Sequence, residues 1–317
     1  MASFVVILLA ALLLPSQSFP PHKQPLNAAT SLAMSSSQPS VAIVGMGVLG
    51  TSLAKQLLEG TDYTLMGITK STTRHQDIRK ELCDGYEERL SLTTMEEALS
   101  SGTQYQNVVF CAPPSGFEDY PSAVADASKL RSKTKDGSFI FTSSGGVYPD
   151  TFDGEVVNES TPLEEGNPRK ARGIQAEKVC LDNDGCVLRL SGLYTLERGA
   201  HNYWLEKANG VVKGREDGII NLLHYDDAAG SVVAALKVGP KVNSGKLFLI
   251  SDGHYTTRRG ICENALKSKR YRGCEMPTFE GSEGETRGKI YDGSWSEDTL
   301  CWKAKYTSFD GFMESMA

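Results

Sequence analysis

Val41-Ala42-Ile43-Val44-Gly45-Met46-Gly47-Val48-Leu49-Gly50 is the stretch that decides the fold. Four apolar residues form a strand of the fully buried kind and run straight into Gly-x-Gly-x-x-Gly. An amphipathic helix is expected from Val48 to Leu58. Strand, glycines and helix in that order describe a nucleotide cradle, whereas a glycine triplet alone says little. Gly45 permits the tight turn, Gly47 lets the backbone approach a pyrophosphate, and Gly50 lets the helix pack closely on the strand. The helix then presents its unpaired N–H groups and positive dipole end to phosphate.

Outward from this motif the chain alternates strand-like and helix-like stretches, the signature of a parallel sheet with helices on both faces. Strands are expected at 63–69, 90–92, 107–111, 138–142 and 186–190, and helices at 74–82, 95–99, 120–130 and 170–181. An acidic loop punctuated by Pro and Gly fills 150–167. Past residue 192 the alternation loosens, with strands at 219–224 and 246–251 and helices at 226–236 and 257–266. The expected fold is α/β, a Rossmann-type doubly wound parallel sheet with a smaller C-terminal substrate lobe. Residues 41–192 are read as the NAD(P)-binding Rossmann domain, and 193–317 as a mixed substrate lobe interleaved with it.

The 317 residues are 40% hydrophobic and 23% charged, enough for one large α/β domain or two smaller ones. A formal net charge of -6 argues against nucleic acid as a partner, since phosphate backbones demand a basic face. The apolar run from Phe4 to Leu14 is too short to span a bilayer and reads as the core of a signal peptide over 1–18. Residues 19–40 are rich in Ser, Pro and Ala and lack acids, the composition of an organelle transit segment. Signal and transit segments in series resemble the bipartite plastid presequence of algae with secondary plastids. Plastid is therefore the expected location, with secretion as the alternative and no membrane attachment in the mature form. Seven cysteines, irregularly spaced and including Cys111 and Cys186 in apolar runs, fit buried free thiols. No Cys-x-x-Cys pair occurs, and no metal site is expected.

Further segments carry a resemblance. Phe141-Thr142-Ser143-Ser144-Gly145-Gly146-Val147-Tyr148 ends a central strand. Leu188-Arg189-Leu190-Ser191-Gly192-Leu193-Tyr194 and Asn221-Leu222-Leu223-His224-Tyr225-Asp226-Asp227-Ala228-Ala229 follow, and Leu300, Trp302, Ser308 and Phe309 lie near the end. With the glycine loop, and in this order, they resemble the extended short-chain dehydrogenase/reductases of the NAD-dependent epimerase/dehydratase group. The motif, the end of the second strand and the resemblance together give an expected cofactor site of Gly45, Gly47, Val48, Leu49, Gly50, Thr69, Lys70, Ser71, Arg74, Ala112, Pro113, Ser143 and Tyr194. It implies a homodimer as a possible assembly and a small molecule as substrate. Of the catalytic candidates, Ser144 offers a hydroxyl to a substrate carbonyl or alcohol, Tyr148 a phenol beside the cleft, and Lys178 a nearby ammonium.

The chain departs from that family at one place. Its Tyr-x-x-x-Lys pair, in which the Lys helps to lower the Tyr pKa for proton transfer, is expected within Arg169-Lys170-Ala171-Arg172-Gly173-Ile174-Gln175-Ala176-Glu177-Lys178. No tyrosine is there; Arg172 falls near the Tyr position and Ala176 would replace the Lys. A Tyr-x-x-x-Lys does occur at Tyr203 to Lys207, in the lobe. His224 is expected to be structural, with an Asp capping the helix that follows. His201, Tyr203 and Trp204 are expected to wall a substrate pocket.

The end of the second strand, Gly67-Ile68-Thr69-Lys70-Ser71-Thr72-Thr73-Arg74, lacks the acid that would accept from a ribose 2′-OH. Lys70 and Arg74, with the Thr69 and Ser71 hydroxyls, suit a 2′-phosphate, so NADP is expected ahead of NAD. Three functions follow: an NADP(H)-dependent oxidoreductase or epimerase on a small alcohol, ketone or sugar-like substrate; a catalytically silent NADPH-binding sensor or scaffold; and an RNA-binding scaffold, disfavoured by the net charge.

Overall fold

In the computed structural model, residues 39–82, 84–134 and 136–317 are described. The expected signal peptide and nearly all of the transit segment lie outside these residues, as does Cys83. The elements in chain order are β1 (Ser40–Val44), α1 (Val48–Gly60), β2 (Thr64–Thr69), α2 (His75–Leu82), β3 (Leu90–Thr94), α3 (Met95–Ser101), β4 (Asn107–Phe110), α4 (Tyr120–Ser128) and β5 (Phe139–Ser144). There follow β6 (Val156–Val157), α5 (Pro168–Asp182), β7 (Cys186–Leu190), β8 (Gly192–Tyr194), α6 (Ala200–Glu206), β9 (Val211–Lys213), β10 (Ile219–His224), α7 (Tyr225–Val238), α8 (Pro240–Asn243) and β11 (Leu247–Ile250). The last are β12 (Tyr255–Thr257), α9 (Arg258–Lys267), β13 (Thr278–Glu280), β14 (Ile290–Tyr291), α10 (Ser294–Leu300) and α11 (Phe309–Ser315). Ser40, assigned to the transit segment by its composition, is the first residue of β1.

Seven parallel strands form the central sheet in the order β11-β7-β5-β4-β1-β2-β3. Period-2 geometry sends alternate residues of β1 to opposite faces. Val41 and Ile43 join Leu53 and Leu57 of α1 and Val232 of α7, whereas Ala42 and Val44 join Val124 of α4 and Ala176 of α5. Both faces are buried, which is why these strands read as continuous apolar runs. After β3 the chain returns across the sheet to β4, so the winding reverses between β1 and β4. That reversal opens a crevice beyond the carboxyl ends of the strands.

The lobe is built from small sheets. β10 pairs with β8 in parallel and with β12 antiparallel, β9 pairs with β13, and β6 pairs with β14. Tyr194, Phe309, Phe312 and Tyr271 form its core with Ile261 and Met313. Chain past residue 193 also completes the Rossmann layer, because β11 is the edge strand beside β7 and α7 packs on α1. Ser52 and Gln56 of α1 fix that packing by donating to the side chain and carbonyl of Asp226, at 2.7 and 2.8 Å.

One polar residue closes the first crossover. Arg89, just before β3, donates to the Leu58 carbonyl at 2.9 Å, to Tyr63 at 2.9 and 3.1 Å, and to Thr61. These carbonyls lie in the last turn of α1 and just beyond it, where helical partners run out. Arg89→Met should therefore lower stability by about 2–3 kcal/mol, the scale of charge-assisted bonds to otherwise unpaired carbonyls. Urea unfolding measures it, and a loss under about 0.5 kcal/mol would remove Arg89 from the account.

Candidate functional site

The glycine loop meets the sheet where each missing side chain has a separate reason. Gly45 has φ 102°, and a Cβ there would lie 2.6 Å from the Ala112 nitrogen. A Cβ on Gly50 would lie 2.1 Å from the Gly45 carbonyl oxygen. A Cβ on Gly47 would meet nothing within 4 Å, because Gly47 faces open cleft. The N-terminus of α1 has no side-chain cap, whereas α4, α5, α7 and α9 are capped by Asp119, Asn167, His224 and Thr257. Its first N–H groups are thus left for a ligand in the cleft, the arrangement that suits an anion.

Three cavities follow one another along the carboxyl edge of the sheet. The first, about 470 Å³, is bordered by Gly45, Gly47, Thr69, Lys70, Ser71 and Arg74. The second, about 710 Å³, shares Gly47, Arg74, Ala112 and Pro113 with it and extends past Val48, Leu49, Ser143 and Gly173. The third, about 340 Å³, shares Ser144, Leu190, Ser191 and Gly192 with the second. They form a continuous cleft with the glycine loop near one end and Ser144 near the other.

At the β2 end, Lys70 donates to the Gly116 carbonyl and Arg74 to the Met46 carbonyl, each at 3.3 Å. Both bonds are long for charged donors and can be exchanged for a phosphate. The Thr69 hydroxyl already sits among Ser71, His75 and Thr93. Glu96, at the start of α3, borders the same cavity and was missed by reading only the end of β2.

Ser143 and Ser144 have different fates. Period-2 alternation turns Ser143 toward α5, where its hydroxyl donates to Glu177 Oε1 at 2.5 Å. Glu177 is buried and takes the Arg189 guanidinium at 2.6 Å on Oε2, with Arg189 Nε 3.1 Å from both oxygens. Arg189 in turn lies 4.6 Å from the centre of the Tyr148 ring. Ser143 is therefore held by protein rather than free for cofactor, although its residue borders the second cavity. Ser144 is exposed, accepts from the Gly146 N–H at 3.1 Å, and borders both the second and third cavities.

Several expected residues do not come to the cleft. Lys178 is exposed on α5, because the buried face of that helix runs through Ala176, Glu177 and Cys180. Tyr148 is fully buried between Arg189 and Tyr291, and burial raises its pKa. Tyr194 is fully buried in the lobe core against His224, Phe309 and Phe312, and burial raises its pKa further. Tyr203 and Lys207 are exposed on α6 and just past it. His201 packs on Tyr271 and Phe309, and Trp204 joins the same apolar core, so neither walls the cleft. Arg172 binds the Phe117 and Glu118 carbonyls and the face of Tyr120, tying α5 to the loop after β4. His224 is structural, but the cap is its own: Nδ1 accepts from the Asp226 N–H at 3.1 Å. Asp227 instead holds the Lys305 and Tyr306 N–H groups.

The residues missed by sequence reading come from both ends of the lobe. Tyr225 and Arg198 border the second cavity, and Arg258, Arg287, Lys289 and Tyr291 border the third. On α5 the cleft-facing residue is Gly173, one turn before Glu177, which leaves room rather than a functional group. The six described cysteines are free; Cys111 borders the second cavity, and burial pushes its thiol up to about 12.

No family profile matches the sequence, and no curated protein matches it. Solved structures do match in fold. dTDP-glucose 4,6-dehydratase of Bacillus anthracis, in complex with NAD, is 15% identical over 88% of this chain and 95% of its own, with TM-score 0.70. UDP-glucuronic acid 4-epimerase of Bacillus cereus, also with NAD, is 16% identical over 87% and 96%, with TM-score 0.68. UDP-glucose 4-epimerase of Bifidobacterium longum, with NAD+ and UDP, is 17% identical over 87% and 96%, with TM-score 0.64. The chain thus has the Rossmann-type fold of NAD-dependent dehydratases and epimerases.

Proposed function

We propose that the chain binds NADPH and acts as an oxidoreductase or epimerase of the extended short-chain type on a small alcohol, ketone or sugar-like substrate. The observation that carries this reading is the continuous cleft from the glycine loop to Ser144. The uncapped start of α1 and the open side of Gly47 fit a pyrophosphate. Lys70 and Arg74 fit a 2′-phosphate, which carries close to two negative charges. A bound nicotinamide supplies hydride transfer. The chain's own part is to orient: Ser144 Oγ donates a hydrogen bond to the substrate oxygen, while Glu177 and Arg189 hold the strand end that presents it. Tyr291 is the phenol bordering the Ser144 cavity, and burial raises its pKa above the ordinary phenol value.

A titration followed by nicotinamide fluorescence tests the cofactor choice. NADPH should bind well ahead of NADH, although the solved structures of like fold were obtained with NAD. Lys70→Ala with Arg74→Ala should weaken NADPH by at least about 100-fold, since two charge-assisted bonds of about 1.5–3 kcal/mol each are lost, and leave NADH nearly unchanged. Equal losses for both nucleotides would make these residues general phosphate contacts and favour NAD. The absence of any tyrosine on α5, with Gly173 at its cleft-facing position, favours a second reading, an NADPH-binding sensor or scaffold without turnover. NADPH binding without hydride transfer across a carbonyl and sugar panel would select it.

A further inference from the structure

The third cavity has a surplus cation. Arg258, the first residue of α9, borders it along with Ser144 and is half-buried. Among the described residues its guanidinium makes one hydrogen bond, to the Arg215 carbonyl at 3.3 Å, and no ion pair. Its guanidinium has five donors, so most of that capacity is unspent. The carboxylates whose charge reaches it are Asp150, Glu285 and Asp217. Each is engaged elsewhere: Asp150 with Lys289 at 2.5 Å, Asp217 with Arg215 at 2.7 Å and Arg287 at 3.2 Å, and Glu285 with the Ser282 N–H at 3.4 Å.

The Arg258 guanidinium packs against two glycines. A Cβ on Gly218 would overlap the Arg258 guanidinium, and one on Gly214 would crowd it at 3.1 Å. Burial lowers the Arg258 pKa, the mark of a charge removed from water without full compensation. A half-buried guanidinium with no carboxylate in direct contact gains from an opposite charge brought by a ligand.

We propose that the cavity between Ser144 and Arg258 is the substrate seat, and that it takes a compact oxyanion, a carboxylate or phosphate ester carried by the substrate, with Arg258 as its counter-charge. The planar fork suits either group, because both present two oxygens to parallel N–H donors. The inference deepens the oxidoreductase reading and rests on it for the neighbouring nicotinamide. Ser144, shared by both cavities, would then lie between the hydride and the anion, so the reacting carbon is a short distance from the charged group.

Calorimetric titration of the full chain with inorganic phosphate, and separately with acetate, tests this in the presence of saturating NADPH. The expected result is binding of at least one ion, weakened tenfold or more in Arg258→Gln and unchanged in Arg259→Gln, its exposed neighbour. Phosphate alone would assign an ester, acetate alone a carboxylate. Should Arg258→Gln fail to fold by near-UV circular dichroism, Arg258→Lys, which keeps charge but loses the fork, should still weaken binding severalfold. Binding of neither ion, or equal binding by the Arg258 variants, overturns the proposal. Binding that NADPH abolishes places the ion on the glycine loop and also overturns it. If NADPH does not bind but an Arg258-dependent ion site remains, the cofactor reading falls and the anion seat stands.

Discussion

Glu177→Ala should cost the fold about 3–5 kcal/mol, the scale observed when one partner of a buried ion pair is removed. The loss is large because three groups depend on that carboxylate. Arg189, 3% exposed on the central strand β7, would keep its charge with no counter-ion. Ser143 would lose its acceptor, and α5 would lose its anchor to the end of β5. Replacing both members, Glu177→Leu with Arg189→Met, should recover most of the stability, because exchanging a buried pair for apolar residues is often neutral. Urea unfolding of the two variants decides the matter. If the single variant loses less than about 1 kcal/mol, water reaches the pair and Glu177 does not organise the strand end.

The second large effect separates fold from ligand within the glycine loop. Gly50→Ala places a methyl against the Gly45 carbonyl oxygen, a backbone atom that cannot turn aside. It should cost about 3 kcal/mol, at the upper end of overpacking, and weaken NADPH at least 100-fold by displacing α1 from β1. Gly47→Val meets open space, so its stability should stay within about 0.5 kcal/mol of the parent. Its NADPH affinity should nevertheless collapse, because the new side chain stands where the pyrophosphate approaches the backbone. Thermal unfolding and nucleotide titration of both variants give a two-by-two result. If Gly47→Val binds NADPH normally, the cleft beside α1 is not the phosphate site.

The alternation of buried runs with helical stretches was enough to find the central sheet, because strands covered on both faces are written in apolar residues that nothing else explains. β1, β4, β5 and β7 fall where such runs occur. The two- and three-residue strands of the lobe have no such signature, and β6 and β14 depend for their pairing on partners more than a hundred residues away. The glycine loop was legible because each glycine answers a local steric demand. Lys178 and Tyr194 were misplaced because spacing alone gives neither helix phase nor burial. A sharper signal stood beside them: Arg189 is a charge inside the apolar strand Cys186–Leu190, which requires a buried acid, and Glu177 is that acid. Arg258 and Tyr291 reach the cleft only through tertiary folding, and no local pattern announces them.

The pairing of β6 with β14 bears on the order of assembly. Lys289 bonds the Tyr148 carbonyl across 141 residues of chain, and β11 completes the sheet from beyond residue 246. Contacts of such long range close late, after the loops they join have been drawn together at an entropic cost. During synthesis the glycine loop at 45–50 emerges before residues 258 and 286–291, which wall the Ser144 cavity. A nascent or truncated chain would therefore own a nucleotide cradle long before it owned a place for anything to be reduced.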